Sequence, residues 1–187
     1  MEEMDEDLSA ELLDRADRDQ AARRSLRPGL AMSERMLEWE SVVAPLDRDN
    51  TARLREIVAR YGWPGHRLAG EAGAHAAWLL AQHAPPDVQE ECLPLLQDAV
   101  ARGDASPADL AYLMDRVLMH RGQAQIYGTQ YMERDGVLEL WTVRDRSGLD
   151  QRRAALGLEP EAENRARLLA TRGLDSTQQY DEPDGGG

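Results

Sequence analysis

One imidazole in this chain stands where proton-transfer chemistry would need it. His83 closes the run AGAHAAWLLAQHA (72–84), directly after Gln82 and just before Pro85-Pro86. The run is apolar nearly all round a helical wheel, which predicts a central helix covered on most sides. An imidazole exchanges its proton near neutrality, so one delivered to the end of a buried helix suits general acid–base work. A helix C-terminus favours its charged form and burial opposes it. The plainer reading is a core histidine bonded to a carbonyl at the helix end. A second polar set lies near the N-terminus. Leu12, Leu13, Ala16, Asp19, Gln20 and Arg23 fall within roughly 120° of arc on one helix. The face with the leucines therefore carries an acid, an amide and a guanidinium. Either they face inward and line a site, or Asp19 and Arg23 form an i,i+4 pair on a solvated helix end, where such a pair contributes a few tenths of a kcal/mol.

Metal and cofactor chemistry find no template. His75 and His83 are separated by roughly 12 Å of helix and cannot share an ion. Pro85-Pro86 breaks the helix between His83 and Asp87, and His66 and His120 lack ligand-like neighbours at useful spacing. The lone Cys92 excludes an internal disulfide and a multi-cysteine zinc site, and it reads as a small core residue. There is no Gly-x-Gly-x-x-Gly after a strand, no Walker sequence, no His-Glu-x-x-His and no Gly-x-Ser-x-Gly. No metal and no cofactor are expected.

The elements that must position these groups can be read from periodicity. The 187 residues carry 22 basic and 35 acidic side chains, a formal charge of −13, which argues against nucleic-acid and anionic-membrane partners. The length suits one domain with tails. No apolar run spans a bilayer and no signal-peptide core is seen, so a cytoplasmic protein is expected. Residues 1–7 read as a flexible terminus, 8–172 as one helical domain and 173–187 as a flexible acidic tail. With no Phe, Leu, Trp and Met are expected to fill the core. Ser9 is the expected N-cap of a helix to about Leu26. A short helix over 33–43 would use Met36, Leu37, Trp39 and Val43, and Asp49-Asn50-Thr51 would open the next, ending at Gly62. Pro86 begins a helix that Pro94 should kink or divide. Ser106-Pro107-Ala108-Asp109 starts another, stopped by Gly122, with Asp115 on the rim of its apolar arc. Gln123–Met132 and Val137–Val143 read as strands joined at Asp135-Gly136, giving a hairpin at about 123–143. Gln125, Tyr127, Thr129 and Tyr131 would share one face. Gly128 would admit either a ligand or a neighbouring Trp. Short helices follow at 150–156 and 160–170.

WLLAQHA (78–84), LAYLMDRV (110–117) and GQAQIYGTQY (122–131), with Asp19-Gln20-Ala21-Ala22-Arg23 and Gly62-Trp63-Pro64, occur in an order that resembles an uncharacterised family of small bacterial domains. The resemblance covers roughly residues 8–158. It implies that Asp19, Gln20, Arg23, Gln82, His83, Asp115, Arg116, Gln125, Tyr127, Thr129 and Gln130 belong together, and it implies no activity.

The sequence thus predicts a mainly α, single-domain helical array with a small β-hairpin near the C-terminus. The central helix should pack on the 107–121 helix, and the hairpin should close one side of a polar cleft. Two functions fit. In the first, an acid–base enzyme performs hydrolysis or group transfer on a small molecule or peptide. His83 moves the proton, Asp115 orients it, and Arg116 or Arg23 holds an anionic group. Asp19, Gln20, Gln82, Gln125, Tyr127, Thr129 and Gln130 would line the ligand. In the second, the same groups form a structural network in a non-catalytic binding, inhibitor or accessory protein that meets a protein partner.

Overall fold

Helices rich in alanine and glycine can approach closely, because little stands between their backbones, and one such helix organises this fold. The computed structural model describes residues 4–27, 30–134 and 137–172. Among the described residues are eight helices: α1 (Glu6–Ser25), α2 (Met32–Val42), α3 (Ala44–Tyr61), α4 (His66–His83), α5 (Pro86–Ala101), α6 (Pro107–His120), α7 (Leu149–Ala154) and α8 (Glu161–Arg172). Strands β1 (Tyr131–Arg134) and β2 (Val137–Leu140) form an antiparallel pair between α6 and α7. The chain is therefore mainly α with a small hairpin late in the sequence. Residues 135–136, where the hairpin turn was expected, and the tail 173–187 lie outside the described residues. Contacts gather into two compact units within the expected domain, 1–113 and 114–187, and α6 is divided between them.

In the first unit α1 packs along α4, with α3 and α5 also against α4. The close approach has a specific cause. A Cβ on Gly73 would lie 2.9 Å from the Ser9 hydroxyl. That hydroxyl donates to the Ala69 carbonyl at 2.7 Å, and the Asp5 amide donates to the Leu68 carbonyl at 2.9 Å. Both acceptors lie beside Gly70, whose φ of 69° interrupts the helical path of α4. A break in a helix frees carbonyls that need new donors, and α1 supplies two. Ser9 is thereby spent on α4, and the cap of α1 is instead Asp5, whose carboxylate accepts from the Leu8 amide at 2.9 Å. The cap therefore stands four residues before the expected Ser9, and the helix starts at Glu6.

Ion pairs reinforce this packing. Glu11 accepts from Arg53 of α3 at 2.8 Å, and Arg15 reaches Asp49 at 2.7 Å and Asn50 at 3.0 Å. The start of α3 is Ala44, with Pro45 in its first turn, so Asp49, Asn50 and Thr51 lie inside the helix. Pro45 fits because the first-turn amides have no intrahelical acceptor. Helix α5 remains one element across Pro94. The core is built from Leu12, Leu54, Ile57, Leu80, Val88, Leu96 and Leu113 with many alanines; Cys92 is fully enclosed among them. Contrary to the expectation from composition, no methionine is buried among the described residues and Trp63 is the only buried tryptophan. Alanine-rich contact faces leave little room for larger side chains. On the expected packing of the central helix, His75 lies 3.0 Å from Asp109 and Trp78 meets Tyr112 edge-on at 5.8 Å.

The second unit departs most from the sequence reading. Residues 123–130 are not a strand but a loop. The amides of 126, 127 and 129 are claimed by a side chain and cannot join a ladder, and pairing is confined to a single parallel bridge between Gln125 and Val143. Ile126 and Tyr127 donate to Asp115 Oδ1 at 2.7 and 3.2 Å, and the Thr129 amide and hydroxyl donate to Oδ2 at 3.1 and 3.0 Å. From the opposite side Arg153 donates to the carbonyls of Tyr127 and Gly128 at 2.8 and 3.1 Å and to that of Glu159 at 2.6 Å. Between these two charges Gly128 takes φ 62°, with Leu149 against it where a side chain would otherwise stand. The neighbour of this glycine is thus a leucine, not a tryptophan. Gln125 completes the scaffold as a surrogate peptide group: its amide donates to the carbonyls of Gln130 and Trp141 and accepts from the Gln130 amide at 2.9 Å.

Candidate acid–base site

Helices α1 and α4 meet at one carboxylate, which Arg23 links to α3. Asp19, on α1, is buried, with 1% of its surface exposed. His83, the last residue of α4, places Nδ1 2.8 Å from Asp19 Oδ2. The oxygen lies off the direction in which the ring N–H would donate, so the contact is a charge contact, strongest when the imidazole is protonated. One turn along α1, Arg23 grips both Asp19 oxygens at 3.1–3.2 Å. Gln20 adds a bond to Oδ2 at 3.1 Å. Arg23 also reaches Asp47 of α3 at 2.5 Å and stacks over the Trp39 ring of α2, 4.9 Å from its centre. The i,i+4 pair of the sequence reading therefore exists, but one partner is buried.

Burial is the largest influence on Asp19 and would raise its pKa. His83 and Arg23 outweigh it and hold the carboxyl down at about 2. For Asp47 the balance reverses. Burial, joined by the charge of Asp19, lifts its carboxyl above the ordinary value against the pull of Arg23. Two carboxyls on one arginine are thus driven in opposite directions, a pattern that separates acid from base roles in known catalytic pairs.

The ring of His83 borders an open cleft of about 380 Å³, lined also by Asp47, Arg48, Thr51, Arg55 and Pro85. That volume suits a small ligand. Arg55 holds Asp87 at 2.6 Å, whereas Arg48 is exposed and has no ion-pair partner among the described residues.

The residues singled out in the sequence fall into two groups. Asp19, Gln20, Arg23, Gln82 and His83 belong to the first unit, with Gln82 buried at the end of α4. Asp115, Arg116, Gln125, Tyr127, Thr129 and Gln130 belong to the second. The carboxylate on His83 is Asp19. The oxygens of Asp115, the partner expected from sequence, accept the amides of 126, 127 and 129 within its own unit. Burial, the largest influence, lifts the Asp115 carboxyl above its ordinary value against the pull of those bonds. Arg116 is half-buried on α6. Asp47, Arg48, Thr51, Gln89 and Arg153 escaped the sequence reading. Gln89 takes the helix-end role considered for the histidine, donating to the carbonyls of Gln82 and Ala84 at 3.0 and 2.9 Å. The i,i+4 spacing of Asp47, Thr51 and Arg55 is the signal that could have marked the cleft wall. Among the described residues no group of three or more His, Cys, Asp and Glu side chains could hold a metal ion, and no helix is long and apolar enough to cross a membrane.

The first unit thus carries a buried carboxylate–imidazole pair beside a cleft on an alanine-packed set of helices. The chain belongs to a family of unknown function, DUF6624, whose model matches residues 6–176. No curated protein and no solved structure matches the chain.

Proposed function

We propose that the chain is a small acid–base enzyme that carries out hydrolysis or group transfer on a small molecule or peptide held in the cleft beside His83. The observation that carries this reading is the placement of His83, with Asp19 against Nδ1 and the cleft bordering the same ring. A buried anion against the ring stabilises its charged form while the proton moves. In this reading His83 exchanges the proton, Asp19 stabilises the charged ring, and Asp47 offers a second carboxyl at the cleft. Arg48 binds an anionic group of the ligand, since Arg23 is occupied by Asp19 and Asp47. A cytoplasmic setting belongs to the same proposal.

The test is a panel of chromogenic esters, phosphoesters and peptide anilides, run on the wild type and on His83→Asn. Turnover that disappears in the variant, with a stability loss no larger than about 2 kcal/mol, the amount carried by ionised Asp19, supports the enzyme, because Arg23 and Gln20 still bond Asp19. Turnover retained in His83→Asn refutes it. A second reading, a non-catalytic protein that meets a partner, is favoured by Met36 and Leu37 on α2, which are 60% and 72% exposed. Loss of about 3 kcal/mol or more in His83→Asn, with no turnover from the wild type, would select it.

A further inference from the structure

A second cavity in the first unit lies away from His83 and has a different chemistry. It measures about 610 Å³, and Arg60, Tyr61, Trp63, Arg67, Arg102 and Asp104 line it. Trp63 and Asp104 are buried and the other four are exposed. Asp104 is already committed: its Oδ1 accepts the Arg67 amide at 2.8 Å and lies 3.3 Å from Arg67 Nε. Arg60 rests over the Tyr61 ring, 4.8 Å from its centre, and neither Arg60 nor Arg102 has an ion-pair partner among the described residues. Elsewhere in this acidic chain Arg15, Arg18, Arg23, Arg27, Arg53 and Arg55 each hold a carboxylate. Arg60 and Arg102, like Arg24, Arg35 and Arg48, lack an ion pair among the described residues, and these two share a single cavity that also presents aromatic rings. Trp63 adds an indole Nε1 that is buried and makes no hydrogen bond.

We infer that this cavity binds a phosphate monoester of an aromatic compound, the chemistry of a mononucleotide. Two unpaired guanidiniums match a dianionic phosphate, and the forked donors of arginine suit its oxygens. Tyr61, 38% exposed, offers a flat surface on which a ring can stack beside the Arg60 guanidinium, and the edge of the buried Trp63 closes the cavity wall. The volume lies within the range of small-molecule sites. The local field opposes that of the chain as a whole, so the cavity draws an anion that the rest of the surface repels.

Calorimetric titration with phenyl phosphate, AMP, adenosine and inorganic phosphate tests the assignment. Phenyl phosphate or AMP should saturate one site with Kd below about 1 mM. Adenosine and inorganic phosphate should bind at least about tenfold more weakly, since each lacks one half of the recognition. The double variant Arg60→Gln/Arg102→Gln should lose at least about tenfold in affinity. The control Arg24→Gln/Arg35→Gln, which removes the same charge from exposed positions elsewhere, should bind as the wild type does. Absence of saturable binding by both aromatic phosphates would overturn the assignment. So would equal binding by the two double variants, or binding by inorganic phosphate as tight as by the aromatic esters.

Discussion

Replacing Asp19 with asparagine keeps the shape of the buried site and removes its charge. Asp19 titrates at about 2 in the folded chain against an ordinary 3.8. At about 1.4 kcal/mol per pKa unit, that depression corresponds to about 2 kcal/mol of stability carried by the ionised form. Because the folded value is the lower one, this contribution is fully present above pH ~4 and is lost as the pH falls toward ~2. The variant should therefore be less stable than the wild type by about 2 kcal/mol at pH 6–7, and the gap should narrow as the pH falls below ~4. Urea unfolding of both proteins, followed by circular dichroism at intervals from pH 7 to 3, gives the difference directly. The wild type also carries Glu11, held down at about 2 chiefly by its bond to Arg53. Since both proteins share it, the comparison cancels its titration. A difference that stays constant from pH 6 to pH 3 would refute the argument that His83 and Arg23 set the Asp19 pKa. Equal stability at pH 7 would refute it as well.

Other perturbations probe different parts of the molecule. Asp115→Asn turns an acceptor of several N–H and O–H donors into a group that presents its own N–H bonds to them. A loss of about 2–4 kcal/mol is expected, with faster amide exchange at Ile126, Tyr127 and Thr129, and unchanged protection there would contradict the clamp. Gly73→Ala pushes a methyl to within 2.9 Å of the Ser9 hydroxyl and 3.0 Å of the Ala69 Cβ; a loss of about 1–3 kcal/mol in chemical denaturation is expected, and a stabilised variant would show that α1 can move aside. Burial pushes the Cys92 thiol up to about 12, so a disulfide reagent at pH 8 should label it only as fast as the chain opens, and immediate labelling of the native protein would disprove its enclosure.

Much of the helical framework was legible from periodicity. The central helix, the amphipathic faces around it and the Ser-Pro-Ala-Asp start at 106–109 follow from residue types a few positions apart. Helix starts were less legible where a side chain had a choice of partner. Ser9 looks like a cap in isolation, but the kink at Gly70 offers it the Ala69 carbonyl. The segment 123–130 alternates like a strand, and the pattern misleads because Asp115 and Arg153 claim its amides and carbonyls from positions distant in sequence. In the candidate site, the wheel of α1 placed Asp19, Gln20 and Arg23 on the leucine face, and His83 stood out by its position. Asp47, Arg48 and Thr51 did not, because charged residues inside an amphipathic helix look alike whether they face solvent or a cleft.

The sequence by itself determined that this chain is mainly helical, that His83 ends a buried helix and that an acid, an amide and an arginine share the leucine face of α1. These depend on local periodicity, which any stretch of chain carries within itself. Only the tertiary structure decided which carboxylate meets the imidazole. Asp19 and His83 are 64 residues apart, and the packing of α1 on α4 brings them to 2.8 Å. That packing depends on small residues such as Gly73, which leave room for α1 beside α4. A charge pair depends on distance in space, and spacing along a chain does not report it.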